Sequence, residues 1–252
     1  PVDLIEQHVS RQDQLAVPIV VLLGMTVIMP MGLFDDVSHL SPRIKIGGQL
    51  FAAALLAFND IGVKVATGLL KPLGRRLDNE DLVYSFDLPD FMSWAAPVFN
   101  DHIQLDVIYW TGTAIIAVFV IGACNASNLI DGLDGLLSGV TAIAMVGLLA
   151  IALALGAAND GKLDAARIVL CMAVLGACLG FLPHNFNPAS IFLGDAGSML
   201  LGFMTIVAIL SLGDTGRTHL VIAGLLIYSV PIIDTTLAII RRKMAGLPLS
   251  AA

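Results

Sequence analysis

Residues 135–155 read GLLSGVTAIAMVGLLAIALAL, a run without a single charged side chain. At 1.5 Å per residue such a run reaches about 30 Å, the thickness of the hydrocarbon layer of a membrane. In lipid the backbone must satisfy its own hydrogen bonds, so a spanning segment of this length is a helix. Working outward, hydropathy predicts six further spans at about 16–34, 46–58, 107–124, 165–182, 198–212 and 220–240. The expected fold is therefore an all-α polytopic membrane protein of about seven transmembrane helices, one domain over 1–252. Composition agrees: 57% of residues are hydrophobic and 13% charged, against about a quarter charged in soluble domains.

The net charge of −7, from 20 acids and 13 bases, argues against a nucleic-acid partner, because phosphate binding needs a basic surface. Cys124, Cys171 and Cys178 lie in apolar stretches without CxxC or histidine spacing, and read as small packing residues. The spans 46–58 and 198–212 are short, so they are expected to tilt little or to start in the interface. Gly47-Gly48 and Gly176 to Gly180 would let helices approach closely. The polar start after Pro1 carries no signal-peptide pattern.

Counting loops by parity separates the polar residues. Loops 35–45, 125–134, 183–197 and 241–252 fall on one side of the membrane, and the stretch 59–106, the loop 156–164 and the turn 213–219 on the other. The first side has few loop residues, yet it collects Asp35, Asp36, Asp131, Asp134 and Asp195, with Asp234 just inside the last span. The bases nearest span ends there, Arg43, Lys45 and Arg241-Arg242-Lys243, favour that side as cytoplasmic. Segment 59–106 reads as an extracytoplasmic excursion with a small β-hairpin and Trp94 as an interfacial residue.

Four constellations carry the chemistry. In the first, Asp35-Asp36 at the mouth of a span is followed by His39, Arg43 and Lys45. Paired carboxylates beside hydrocarbon need compensation, as at a divalent-metal or phosphate-handling site. In the second, Asn125, Asn128, Asp131 and Asp134 recur every three residues, with Gly132 and Gly135 between. If helical, each would step about 60° around the axis. In the third, Asp195 stands in Gly194-Asp-Ala-Gly-Ser198 at the start of a helix, after His184, Asn185 and Phe192. A helix start suits a metal or phosphate, although Asp195 could equally be an N-cap. The fourth is Asp234, less than two turns from the basic triplet. So many acids in low dielectric would suppress one another's ionisation. A divalent cation with an anionic substrate relieves that, and Mg²⁺ typically takes one or two carboxylates plus phosphates.

Asp35-Asp36, Asn125-Ala-Ser-Asn-Leu-Ile-Asp131-Gly-Leu-Asp134-Gly135-Leu and Phe192-Leu-Gly-Asp195-Ala-Gly-Ser198 resemble the polyprenyl-phosphate N-acetylhexosamine-1-phosphate transferase superfamily. Within it the Asn-Ala-Ser-Asn-Leu-Ile form and the Asp234-Thr plus Arg-Arg ending are similar to undecaprenyl-phosphate GlcNAc-1-phosphate transferases. The resemblance implies transfer of GlcNAc-1-phosphate from a UDP-N-acetylhexosamine to polyprenyl phosphate, releasing UMP, with Mg²⁺ or Mn²⁺. It implies a multi-pass protein of the inner (plasma) membrane with its active-site loops cytoplasmic, and it leaves room for a homodimer. Carried over by position, Asp195 would be a metal ligand together with Asp131. Asp35 and Asp36 would handle the lipid phosphate, and Asn128, Asp131 and Asp134 the nucleotide-sugar and metal shell. Asn185 and Phe192 would contact uracil, with Lys45 and Arg43 near phosphate.

The same resemblance implies further spans before the first and a histidine-rich motif after the basic triplet. The chain therefore reads as a fragment whose turnover on its own is in question. Two alternatives stand beside it. An ion-coupled transporter predicts acids near the bilayer midplane. A phospho-MurNAc-pentapeptide transferase is the other branch of the same superfamily.

Overall fold

The computed structural model describes residues 17–77, 79, 81–87, 102–158, 163–213 and 216–246. Among these, nine α-helices and one two-stranded sheet follow in order: α1 (Ile19–Ser38), α2 (Pro42–Phe58), α3 (Val65–Arg76), β1 (Val83–Asp87), β2 (His102–Asp106), α4 (Val107–Ile130), α5 (Leu136–Ala157), α6 (Asp164–Asn185), α7 (Gly194–Ser211), α8 (Thr218–Ile227) and α9 (Ser229–Met244). The protein is a polytopic all-α membrane protein. Five helices, α1, α4, α5, α6 and α7, are long and apolar enough to cross a membrane, or six if the bent pair α8 and α9 is one broken span rather than a re-entrant loop. Helix α2, foreseen as a short span at 46–58, has 17 residues and is not among them, so the described residues carry five or at most six crossings where about seven were expected; it starts at Pro42 in a first-turn position that needs no N–H donor.

Three span boundaries differ from the expected ones in ways that matter. Helix α1 runs to Ser38, so Asp35 and Asp36 belong to its last turn. Helix α4 runs to Ile130, which carries Asn125 and Asn128 on the helix and leaves Asp131 and Asp134 in the turn after it. The threefold spacing is thus helical only as far as Ile130. The expected span 220–240 is broken at Tyr228 by a bend of 74°. Pro231 supplies the cause, since it cannot donate to the Ile227 carbonyl and its ring crowds that group.

Helix α7 is the axis of the bundle. Of its apolar residues Met199, Phe203, Ile206, Val207, Ile209 and Leu210 are all buried, and it packs against α1, α4, α6 and α8. Two contacts are backbone to backbone. A side chain at Gly32 of α1 would collide with the Ala196 backbone, and one at Gly202 with the Ala123 carbonyl and the Ser127 hydroxyl. Glycine there brings α1 and α4 into direct contact with α7, a common device where helices lack a hydrophobic drive to associate in lipid. The outer faces stay apolar: Val118, Ile143, Val146 and Leu179 are exposed, as lipid contact requires.

At the end of the bundle remote from the acids, Arg167 is 2% exposed. Its guanidinium pairs with Asp164 and donates to the Ser211 carbonyl at 2.8 Å. That carbonyl lies in the last turn of α7, where a cation also meets the negative end of the helix dipole. Nearby, Thr218 donates to the Val65 carbonyl at 2.8 Å, tying the start of α8 to α3.

The hairpin foreseen in 59–106 is present. Strands β1 and β2 pair antiparallel, with Val83 opposite Asp106 and Ser85 opposite Gln104. The Asp106 side chain then accepts from the Tyr109 N–H at 2.8 Å and caps α4. The earlier part of that stretch is α3, packed on α4 and α8. Trp94 lies outside the described residues.

Candidate active site

The site forms where the ends of α1, α4 and α6 meet the starts of α2, α5 and α7. Asp195, in the first turn of α7, is its hub. Lys45 Nζ donates to Asp195 Oδ2 at 2.7 Å and also pairs with Asp35. Asn128 Nδ2 donates to Asp195 Oδ1 at 2.7 Å and to Ser198 Oγ at 3.1 Å. Asp36 accepts the backbone N–H groups of Asp195 at 2.8 Å and Ala196 at 3.3 Å. Asp36, Lys45 and Asn128, from three different helices and up to 160 positions away in the chain, thus converge on one helix start.

Local geometry explains why. Gly194 has φ +62°, and a Cβ there would sit 2.7 Å from Asp36 Oδ2. Only glycine reconciles that backbone with a carboxylate lying on the helix end. Asp36 therefore acts as an N-cap supplied by a neighbouring helix, and Asp195 is left with its carboxylate facing Lys45 and Asn128. Asp35 is 7% exposed; besides Lys45 it accepts the Leu40 N–H at 2.7 Å, closing the turn between α1 and α2.

The turn after α4 is braced by the loop before α7. Asn185 is 3% exposed. Its Oδ1 accepts from the Gly135 N–H at 3.2 Å and Ser138 Oγ at 2.9 Å, and its Nδ2 donates to the Ile191 carbonyl at 3.0 Å. Both ends of the amide foreseen for uracil are thereby engaged inside the protein. Asp134 likewise accepts from Asn187 Nδ2 at 3.1 Å and the Ala189 N–H at 3.0 Å. Asp131 remains half-exposed beside Asp195. Burial, and secondarily the charge of Asp195, pushes its carboxyl up to about 6.

Phe192 is 68% exposed two residues before Gly194, its ring open to a flat partner. Arg43 lies exposed in the first turn of α2, two residues before Lys45. Asp234 does not join the hub; it lines a separate hollow with Leu129, Gly132, Leu133 and Val230, on the same side of the bundle. The one-sided gathering expected from loop parity is therefore present, with the acids at helix ends rather than at mid-depth.

Gln49 was missing from the expected set. It is fully buried and receives Asn125 Nδ2 at 3.0 Å. A lone amide within Ile46-Gly-Gly-Gln-Leu-Phe-Ala-Ala-Ala was the available signal, since intramembrane polar groups are rare without a role. A second is Tyr228, whose hydroxyl lies 2.6 Å from Ser127 Oγ at the α8–α9 break.

Among the described residues no group of three or more His, Cys, Asp or Glu side chains is close enough to form a ready-made metal cage. The donor chemistry nevertheless suits Mg²⁺, which prefers one or two carboxylates completed by phosphate and water. Asp131 and Asp195, close enough for the charge of one to act on the other, form such a pair.

Fold and site together define a multi-pass helical membrane protein with a polar, acid-rich centre at one end of its bundle. The chain belongs to glycosyl transferase family 4, whose model matches residues 18–213. It is 33% identical over 232 residues to a probable undecaprenyl-phosphate N-acetylglucosaminyl 1-phosphate transferase of Bacillus subtilis, covering 92% of this chain and 54% of the relative. It is 33% identical over 245 residues to a decaprenyl-phosphate N-acetylglucosaminephosphotransferase of Mycolicibacterium smegmatis, covering 91% and 52%. It is also 31% identical over 220 residues to a phospho-N-acetylmuramoyl-pentapeptide-transferase of Desulfitobacterium hafniense, covering 81% and 63%. The chain thus spans about half the length of the first two relatives.

Proposed function

We propose that this chain is the membrane core of a transferase that moves N-acetylhexosamine-1-phosphate, with GlcNAc the favoured sugar, from its UDP donor to polyprenyl phosphate. The observation that carries the reading is the convergence of Lys45, Asn128 and Asp36 on Asp195, in a chain that aligns over 92% and 91% of its length with relatives bearing polyprenyl-phosphate GlcNAc-1-phosphate transferase names. The acidic face would be cytoplasmic, where nucleotide-sugars are made, in the inner (plasma) membrane.

A lipid phosphate oxygen attacks the phosphorus that bears the sugar, the bridging P–O bond breaks, and UMP leaves with that oxygen. Asp195 and Asp131 would hold Mg²⁺ or Mn²⁺, which when bound neutralises phosphate charge. Lys45 brings its ammonium to the same place and Arg43 supplies a second positive charge at the mouth. Asn128 orients the Asp195 carboxylate and would offer its Oδ1 as an acceptor to the nucleotide-sugar. Phe192 presents a face for uracil. Asp36 holds the start of α7, while Asp134 and Asn185 hold the turn that carries Asp131. Asp35 keeps Lys45 in place and lies where the lipid phosphate would arrive. That phosphate is mostly ionised at neutral pH, so positioning and charge neutralisation supply most of the rate.

The test is UMP release by the full-length protein in the presence of undecaprenyl phosphate and Mg²⁺, with UDP-GlcNAc, UDP-GalNAc and UDP-MurNAc-pentapeptide as separate donors. UDP-GlcNAc should be turned over, and Asp195→Asn should lower the rate on the order of 10²-fold or more. Preference for the pentapeptide donor would move the protein to the other branch. No UMP from any donor, or full activity in the variant, would sink the assignment.

A further inference from the structure

The hub has a second polar layer beneath it, built from the same three helices. In the upper layer Lys45 of α2 and Asn128 of α4 both donate to Asp195 of α7. Gln49, Asn125 and Met199 lie four residues on, three back and four on from these, so each sits about one turn deeper on its own helix. There Asn125 Nδ2 donates to Gln49 Oε1 at 3.0 Å and to the Ile121 carbonyl at 2.8 Å. Gln49 Nε2 in turn donates to the Met199 sulfur at 3.6 Å.

Gln49 is the only one of the three lower residues whose side chain reaches both partner helices. It is fully buried, at a depth where an apolar side chain of the same size would pack without needing partners. A thioether is a weak acceptor, so the arrangement is a poor way to gain adhesion and a good way to fix an angle. Successive residues of a helix are about 100° apart. A modest roll of α2 about its axis would therefore carry Lys45 away from Asp195, and the Gln49 amide resists that roll.

We propose that Gln49 is a positioning residue for the reaction: through Asn125 and Met199 it sets the rotation of α2 and so places the Lys45 ammonium on Asp195. The proposal deepens the transferase reading and rests on it for its kinetic consequence, while its geometric consequence can be tested without turnover.

For the kinetic arm, Gln49→Leu in the full-length protein should lower kcat by about tenfold or more, the scale expected for displacement of a reacting group by about 1 Å, with a smaller change in KM. Gln49→Asn and Asn125→Gln should each lose activity. The double exchange, which moves the longer amide to the opposite helix, should recover most of it. For the geometric arm, cysteines replace Lys45 and Asp195, and the three native cysteines become alanine. A short bifunctional thiol reagent should then join α2 to α7 efficiently with Gln49 present and poorly with Gln49→Leu. Equal cross-linking in both backgrounds overturns the proposal, as does a Gln49→Leu rate per folded molecule within twofold of the parent. If the wild-type protein releases no UMP while cross-linking still depends on Gln49, the transferase reading fails and the positioning role stands.

Discussion

Asp36 accepts the backbone N–H of Asp195 at 2.8 Å, across 159 positions of chain. A carboxylate that neighbours a candidate catalytic acid in sequence is thus the cap of the helix that carries the hub. Replacing Asp36 by alanine removes the acceptor for two N–H groups and should lower stability by about 1–2 kcal/mol. Asparagine keeps an acceptor oxygen but loses the charge that favours a helix start, so its effect should be smaller. Thermal unfolding in detergent separates the two, and an unchanged midpoint for Asp36→Ala would rule out the cap.

Lys45 lies between Asp35 and Asp195. Methionine there would leave two carboxylates facing each other with no cation, an arrangement that suppresses ionisation. Activity of Lys45→Met should fall on the order of 10²-fold. Lys45→Arg keeps the charge in a wider, planar group and should lose less, about tenfold. The comparison is made by UMP release at saturating donor.

Asp131 gives the protein a pH signature. Its carboxyl, raised to about 6 by burial and by Asp195, holds a proton that the unfolded chain has already released above about pH 4. The resulting stability is fully present below pH 4 and is lost as pH rises through about 6. At this half-exposed site, solvent screening limits it to on the order of 1 kcal/mol. Asp131→Asn should flatten the stability difference between pH 5 and pH 7. Cation binding runs the other way, because Mg²⁺ must displace the proton. Its apparent affinity should weaken below about pH 6, read by titrating Mg²⁺ into the activity assay at several pH values.

Gly202 tests the close approach of α4 and α7. An alanine Cβ would meet the Ala123 carbonyl and the Ser127 hydroxyl, so Gly202→Ala should cost about 1–3 kcal/mol. Gly176→Ala, with nothing within 4 Å of its Cβ, should be neutral or slightly stabilising. Matching melting temperatures for the two variants would remove close packing as the reason for glycine at 202.

The all-α membrane class, the gathering of the acids and the hairpin were legible because hydropathy and loop parity are long-range averages that survive local error. The count of about seven spans exceeded the five or at most six among the described residues, because short apolar runs such as 46–58 pass the same average. The break at Tyr228 was not legible, although Pro231 was in view, because a continuous apolar run outweighs one proline in such an average. Asp35, Asp36 and Asp195 were recognised as one site from residue type. That Asp36 faces backbone N–H groups while Asp195 faces Lys45 depends on the rotation of α1 against α7, which no local pattern encodes. Asn185 shows the same limit. Its uracil contact is implied by the resemblance alone, and only tertiary geometry reveals that both ends of its amide bind Gly135, Ser138 and Ile191.

Arg167, gripping Ser211 at the other end of α7, gives the protein a weakness far from its acidic centre. Ser211 lies sixteen residues from Asp195, about 24 Å along the helix. A rigid rod anchored at both ends transmits a slip at either. Random mutagenesis scored by the UMP release proposed above would accordingly return hits at Arg167 and Asp164 alongside the acidic residues. A small molecule that loosened that remote clasp would act on the protein without touching the acidic centre itself.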